Sequence, residues 1–245
     1  YVNYPSKSDE VESVVKEIKR LHEKGMPYKD MAILFRNNKQ AAIPAQILSR
    51  EKIPFNSSER IKTLYDEWMF EDIKAYVSLS MGKDIRKNLL HVLNRPNRYL
   101  KAAAFIDRTS ETGVVEYNTT SMLKAISYLE SKQDWQYDAA RESIFNWLNA
   151  FGPGKVTMDT PTAVLFEKLV GRGGIKYSKH IKQSAKFNNQ DEQDNLEDFN
   201  ELKNDALKYK TIGEWFRHAA YVSRMVREES RKKEEQDCVA LSTMH

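Results

Sequence analysis

The chain has 245 residues, of which 40% are hydrophobic and 30% charged, and carries a net charge of +4. That balance excludes a disordered chain and leaves room for one large domain or two smaller ones, each with a real core. A single cysteine, Cys238, excludes an internal disulfide and fits a reducing cytosol. No apolar run approaches the roughly 18 residues of a membrane span, and the N-terminus lacks a signal-peptide pattern. A modest positive charge permits a nucleic-acid partner without requiring one.

The first 60 residues read as an α/β unit. "YVNYP" is a short strand candidate, and Ser8 opens a helix as N-cap, with Asp9 and Glu10 in its positive first turn. Val11, Val14, Val15, Ile18 and Leu21 follow at helical spacing, and Gly25 supplies the stop. Met31 to Phe35 is too short and too apolar for a helix and suits a central strand buried on both faces. A helix over 39–51 and a strand at "KIPFN" complete a strand–helix alternation that implies parallel pairing with right-handed crossovers.

From about residue 64 the period becomes helical. Helices are expected over 66–80, 83–93, 101–108, 121–131, 138–150, 162–171, 191–209 and 212–229. Pro96, Gly113, Gly152-Pro153-Gly154, Pro161 and Gly171-Arg172-Gly173-Gly174 punctuate them. Thr160 with Pro161 reads as a helix N-terminus. After the charge run 231–237, Val239 to Thr243 reads as a buried strand. A strand there needs a sheet, and the economical expectation is that it rejoins the one begun in the first sixty residues. Residues of roughly 66 to 235 would then be an insertion.

No self-contained catalytic site is legible. There is no G-x-x-x-x-G-K-[ST] phosphate loop, and Gly171-Arg172-Gly173-Gly174 reads as a helix-terminating loop. The five histidines sit apart with no metal-ligand spacing, and Cys238 beside a strand reads as a buried structural thiol. Two positive features remain. The stretch Lys83 to Lys101 carries six Lys/Arg against one Asp, and its Asn94-Arg95-Pro96-Asn97-Arg98 turn would present guanidinium groups and then Tyr99. Such a turn can grip a duplex backbone, or be an ordinary basic surface turn. Phe35 to Gln40 follows the expected central strand, where α/β sheets place ligands, or is a plain strand-to-helix turn with Asn38 as N-cap.

Several segments together resemble superfamily 1 DNA helicases of the UvrD/Rep/PcrA type. "MAILFRNNKQ" is similar to the family's A-[IV]-L-[YF]-R-x-N-x-Q, and Ile53-Pro54-Phe55 to its I-P-[YF] strand. "LYDEWMFEDIKAYVSL" matches its next helix through Tyr65, Asp72, Ala75 and Tyr76. "NLEDFNEL" resembles its N-L-[ED]-[ED]-[FL] helix, and "VALSTMH" the start of motif V. The resemblance spans nearly the whole chain in the family's order. It implies a mainly α fold with a small α/β part: a partial RecA-like parallel sheet, subdomain 2A, over 1–65 and 236–245, interrupted by a helical subdomain 2B over 66–235.

By the same resemblance, the parent would be an ATP-dependent 3′-to-5′ DNA helicase using ATP and Mg2+. Its phosphate loop would precede Tyr1 and its motif VI would follow His245. Partners would be single-stranded and forked DNA, with a repair protein able to dock on 2B, in the cytoplasm and away from membranes. The 245 residues alone are expected to bind no cofactor or metal and to be inactive. Thr243 and His245 match motif V residues that touch single-stranded DNA, and Arg36, Asn38 and Gln40 match the R-x-N-x-Q element, with a DNA-proximal or a local structural role. The turn from Asn94 to Leu100 corresponds to a duplex-binding T-P-x-R-G-I-G element in which Pro96 and Arg98 match but Tyr99-Leu100-Lys101 replaces Gly-Ile-Gly. Arg95, Arg98 and Lys101 would supply charge there, with Tyr99 beside them. The alternative is a protein-docking or regulatory helicase-like module of a repair complex, without motor activity.

Overall fold

A computed structural model describes residues 4, 7–36, 38–57, 61–101, 124, 127, 136–189, 191–229 and 237–243. The expected strand at residues 1–5 and the expected helices at 101–108 and 121–131 lie essentially outside these residues. The chain divides into two compact units, residues Tyr1–Glu67 with Arg217–His245, and Trp68–Phe216.

In the first unit, α1 (Lys7–Glu23) begins one residue before the expected cap Ser8 and buries Val15 and Ile18. It ends in a Schellman turn: Gly25, at φ +96°, donates to the His22 carbonyl (2.9 Å) and Met26 to that of Leu21 (3.1 Å). Strand β1 (Ala32–Phe35) is followed by a 3₁₀ turn (Asn38–Ala41), α2 (Ala42–Arg50) and β2 (Phe55–Ser57). Strand β3 (Val239–Thr243) comes from the far end of the chain and lies between them, parallel to both, in the order β1-β3-β2. Adjacent amides bond to opposite neighbours, Val239 to the Pro54 carbonyl (2.9 Å) and Ala240 to that of Met31 (3.0 Å). The return of the terminal strand to the first sheet is therefore as expected.

The place of β1 is not as expected. Among the described residues it is an outer strand, with Leu34 60% exposed and only Phe35 buried. Its apolar run signalled burial, but the central position belongs to β3, whose Val239 and Leu241 are almost fully buried. Cys238, just before β3, is buried and in no disulfide, in keeping with the structural reading. Asp237 accepts a hydrogen bond from the Lys29 amide (2.9 Å), pinning the entry of β3 to the approach to β1.

The second unit is helical. It holds α3 (Trp68–Ser80), α4 (Ile85–Val92), α5 (Gln136–Phe151), α6 (Thr162–Val170), α7 (Tyr177–Phe187), α8 (Glu192–Ala206) and the start of α9 (Ile212–Glu229). Its core is aromatic: Trp215 packs edge-on against Phe70 at 5.2 Å and beside Phe166 at 6.0 Å, and Tyr76 lies against Phe151 at 4.8 Å. Such rings exclude water over large areas and prefer these tilted contacts. Ser80 closes one end, donating to the Gly152 carbonyl and accepting from the Val156 amide, both at 2.9 Å.

Helix α6 starts at Thr162, with Pro161 rather than Thr160 at the cap. Thr160 instead accepts from the Thr157 amide (2.9 Å). The glycine loop ends α6 as expected. A Cβ on Gly174 would stand 2.5 Å from the Lys168 carbonyl, so only glycine lets the loop fold back on the helix. Helix α7 was not expected from the sequence.

Candidate functional site

Two groups of side chains answer to the expected site, one in each unit. The first lies at the carboxyl edge of the parallel sheet. Phe35 and Thr243 are register partners on β1 and β3, so Arg36 leaves the sheet beside the last residue of β3, although about 200 positions separate them in sequence. The 3₁₀ turn Asn38–Ala41 packs against β3. Gln40 receives a hydrogen bond from the Arg36 amide on its side-chain oxygen (3.0 Å), so this glutamine shapes the turn that carries the element. Arg36 itself is exposed. Asn38 opens the 3₁₀ turn, and α2 proper starts only at Ala42. His245 lies outside the described residues.

The second group is the turn after α4. Asn94 builds it: its side-chain oxygen accepts from the amides of Arg98 (3.1 Å) and Leu100 (3.0 Å), and its amide donates to the Leu100 carbonyl (2.8 Å). An Asn used in this way replaces backbone bonds that an irregular turn cannot make for itself. Tyr99 sits at φ +55°, in the left-handed region, held there by its amide bond to the Asn97 side chain (3.0 Å). Lys101 is exposed.

Arg98 corrects the expectation of a guanidinium presented to solvent. It is wholly buried. One terminal nitrogen donates to the carbonyls of Val92 (2.8 Å) and Leu93 (3.1 Å) at the C-terminal end of α4, where the Val92 carbonyl also receives the Arg95 amide (3.1 Å). The other donates to the Tyr76 hydroxyl at 2.6 Å, and the planar head stacks 4.3 Å from the Trp147 ring. The physical reason is that a helix end packed into an aromatic core needs a multivalent donor, and arginine supplies one on a flat, stackable surface.

Arg95 is part-exposed and pairs with Asp72 (2.7 Å). Asp72 on α3 is fully buried and is the centre of a polar cluster. Its second oxygen accepts from the Tyr177 hydroxyl (2.7 Å) and lies 3.7 Å from His180, while His91 meets its first oxygen at 2.7 Å. A buried carboxylate survives only when surrounded by donors in this way. Burial raises the Tyr177 hydroxyl well above its ordinary range, assisted by the adjacent Asp72, which keeps it a donor. Burial likewise pushes Tyr76 up to about 12, where it remains neutral and donates to the Arg95 carbonyl. His180 is pulled down to about 4 by burial, so it is uncharged at neutral pH.

The sequence placed Asp72 and Tyr76 within a family-like segment without identifying them as the scaffold of the turn. The usable signal was a lone Asp among apolar residues on the buried face of α3. Among the described residues no three His, Cys, Asp or Glu converge to hold a metal ion, and no helix is long and apolar enough to cross a membrane.

The family model described as UvrD-like helicase C-terminal domain matches residues 1–245. The ATP-dependent DNA helicase Rep of Buchnera aphidicola subsp. Acyrthosiphon pisum is 23% identical over 98% of this chain and 37% of its own length. The ATP-dependent DNA helicases PcrA of Staphylococcus epidermidis and Staphylococcus aureus are 30% and 28% identical over 40% of this chain and 13% of theirs. The chain thus spans little more than a third of the length of that Rep helicase. With its matching segments distributed over a parallel sheet and a helical unit, and the family model covering it from end to end, the chain belongs to the UvrD-like helicase C-terminal domain family.

Proposed function

We propose that this chain is the DNA-engaging part of an ATP-dependent DNA helicase, a 3′-to-5′ motor of the cytoplasm. Residues 1–65 and 236–245 would serve as subdomain 2A and 66–235 as subdomain 2B. The observation that carries this reading is the pairing of Phe35 with Thr243. It brings the R-x-N-x-Q segment and the motif V threonine, far apart in sequence, to one edge of a parallel sheet, the edge at which such sheets bind ligands. Arg36, Asn38, Gln40, Thr243 and His245 would contact the single strand there, with hydroxyl, amide and guanidinium groups donating to phosphate. Arg95, Tyr99 and Lys101 would face duplex DNA from the turn in the helical unit, and Arg98 would hold that turn from within.

The sequence has no G-x-x-x-x-G-K-[ST] phosphate loop. We therefore assign ATP and Mg2+ to the parent protein outside these residues, and expect the purified chain to show no DNA-stimulated ATP hydrolysis. A repair protein docking on 2B belongs to the same proposal.

The test is binding of the 245-residue chain to single-stranded and forked DNA across a salt series. Affinity should fall steeply with salt. Arg36→Ala should reduce the single-strand slope by about 0.7, the contribution of one phosphate contact. An affinity independent of salt, or an unchanged slope in Arg36→Ala and Thr243→Ala together, overturns the assignment of the sheet edge and favours the protein-docking module.

A further inference from the structure

We infer that the outer face of α7 is a second binding surface, one for single-stranded nucleic acid. This rests on the DNA-engaging reading above and extends it to residues that reading leaves unused. From Lys168 to Gln190 the chain has six Lys/Arg and no Asp or Glu, a positive run without the acidic residue found in Lys83 to Lys101.

Periodicity sorts these charges. Tyr177, Ile181 and Ala185, four apart, are buried, and the helix turns the opposite side outward, carrying Lys176, Lys179, Gln183, Lys186 and Phe187, all exposed. Lys176 pairs with Glu142 (2.5 Å) and Lys182 reaches across to Glu192 (2.8 Å). Lys179 and Lys186 make no hydrogen bond or ion pair through their ammonium groups among the described residues. Lys179 lies only within the field of Glu142. Seven positions apart, they stand about 10 Å from one another along the axis, a reach of a few nucleotides.

Phe187, at the end of the same face, is 91% exposed, the most exposed large hydrophobic side chain among the described residues. Beside these lysines the Phe187 ring packs on little among the described residues. It matches the pattern by which proteins hold single strands, ammonium groups on the phosphates and a ring under a base. A duplex would offer phosphates to the lysines but no open base face to the ring.

Placement reinforces the point. Tyr177 and His180 on α7 and Arg95 on the turn all address the one carboxylate of Asp72. The basic face of α7 and the basic turn therefore start from a common buried anchor, and a strand leaving a duplex at the turn would meet α7 next.

The experiment uses the 245-residue chain and compares a short mixed-sequence single strand with a blunt duplex by fluorescence anisotropy over a salt series. Lys179→Gln with Lys186→Gln should weaken single-strand binding several-fold at low salt and lower its salt slope by about 1.4, two phosphate contacts. Lys179→Arg with Lys186→Arg should restore both. Phe187→Ala should lose about tenfold on the single strand and nothing on the duplex. All these positions are exposed, so tryptophan-monitored unfolding should stay as in the parent chain. Unchanged single-strand binding in the lysine pair, or a Phe187→Ala effect equal on both DNAs, overturns the α7 surface while leaving the sheet edge to the Arg36 and Thr243 variants. A chain that binds no DNA at low salt overturns both.

Discussion

Arg98 offers the sharpest separation between a surface reading and a core reading of the same residue. Replacing it with alanine would leave the Leu93 carbonyl without its donor, the Val92 carbonyl with the Arg95 amide alone, and the Tyr76 hydroxyl without its charged partner. A buried carbonyl stripped of its donor costs about 1–3 kcal/mol. Loss of the desolvated stack on Trp147 removes roughly 2 kcal/mol more. Partial collapse of the site offsets some of this, and the net falls at about 3–5 kcal/mol, the range found when one member of a buried charged network is removed. Against a total stability on the order of 10 kcal/mol that is a large fraction.

Urea unfolding followed by tryptophan fluorescence reads this directly, because the three described tryptophans (68, 147 and 215) belong to the helical unit. The midpoint should drop steeply with little change in slope. Arg98→Lys should recover part of the loss, since an ammonium can reach a carbonyl but cannot stack or donate in a fork. The reasoning fails if Arg98→Ala unfolds within about 1 kcal/mol of the parent chain while its DNA salt slope falls by one phosphate. That result would return Arg98 to the surface.

Three further outcomes follow from the same cluster and its neighbours. Asp72→Asn keeps the shape but removes the charge that faces Arg95, and should cost about 3 kcal/mol or more in the same urea assay; near-neutrality would show that the carboxylate is dispensable. Ser80→Ala orphans the Val156 amide, leaves the Gly152 carbonyl with the Lys155 amide alone, and should cost about 2 kcal/mol, with a value near zero refuting the dependence on Ser80. His180 is held at about 4 by burial, against 6.5 for a free histidine, so the folded unit binds fewer protons than the unfolded chain between those values. Its contribution is therefore fully present above pH 6.5 and is lost as pH falls towards 4, by up to about 3 kcal/mol, reduced by the solvent that still reaches the ring. Unfolding measured from pH 7 to pH 4.5 should show this slope, and His180→Phe should flatten it; an unchanged slope in the variant would clear His180.

What was legible in the sequence followed from period and polarity. The strand at Val239 announced itself by apolar, β-branched residues after a charge run, and the sheet it needed had to be the earlier one. Helices α1, α3 and α9 were legible because their apolar faces are dense. Helix α7 was not, because its buried face is only Tyr177, Ile181 and Ala185 set among lysines, a stripe too thin to stand out until α8 is known to pack on it. β1 was misplaced for the opposite reason: an apolar run signals a strand but not which strand lies in the middle, and Leu34 is left outside. The sheet edge was half legible, since a position after a strand can be read but the register that sets Phe35 against Thr243 cannot.

Arg98 and Arg95 show why composition misled most at the turn. Three residues apart in one basic stretch, they are equal in any count of charge. Arg98 nevertheless turns inward to three acceptors and a ring, while Arg95 lies across a buried carboxylate with its side chain 39% exposed. The difference arises from Asn94, which folds the chain back so that alternate residues point to core and solvent. A positive run thus does two jobs, and counting it as a single phosphate-binding patch overstates its reach. If the turn binds duplex, the charge available is that of Lys101 and the exposed part of Arg95. Removing Lys101 should then lower the duplex salt slope by about 0.9, while removing Arg98 should destabilise the platform without a matching electrostatic signature.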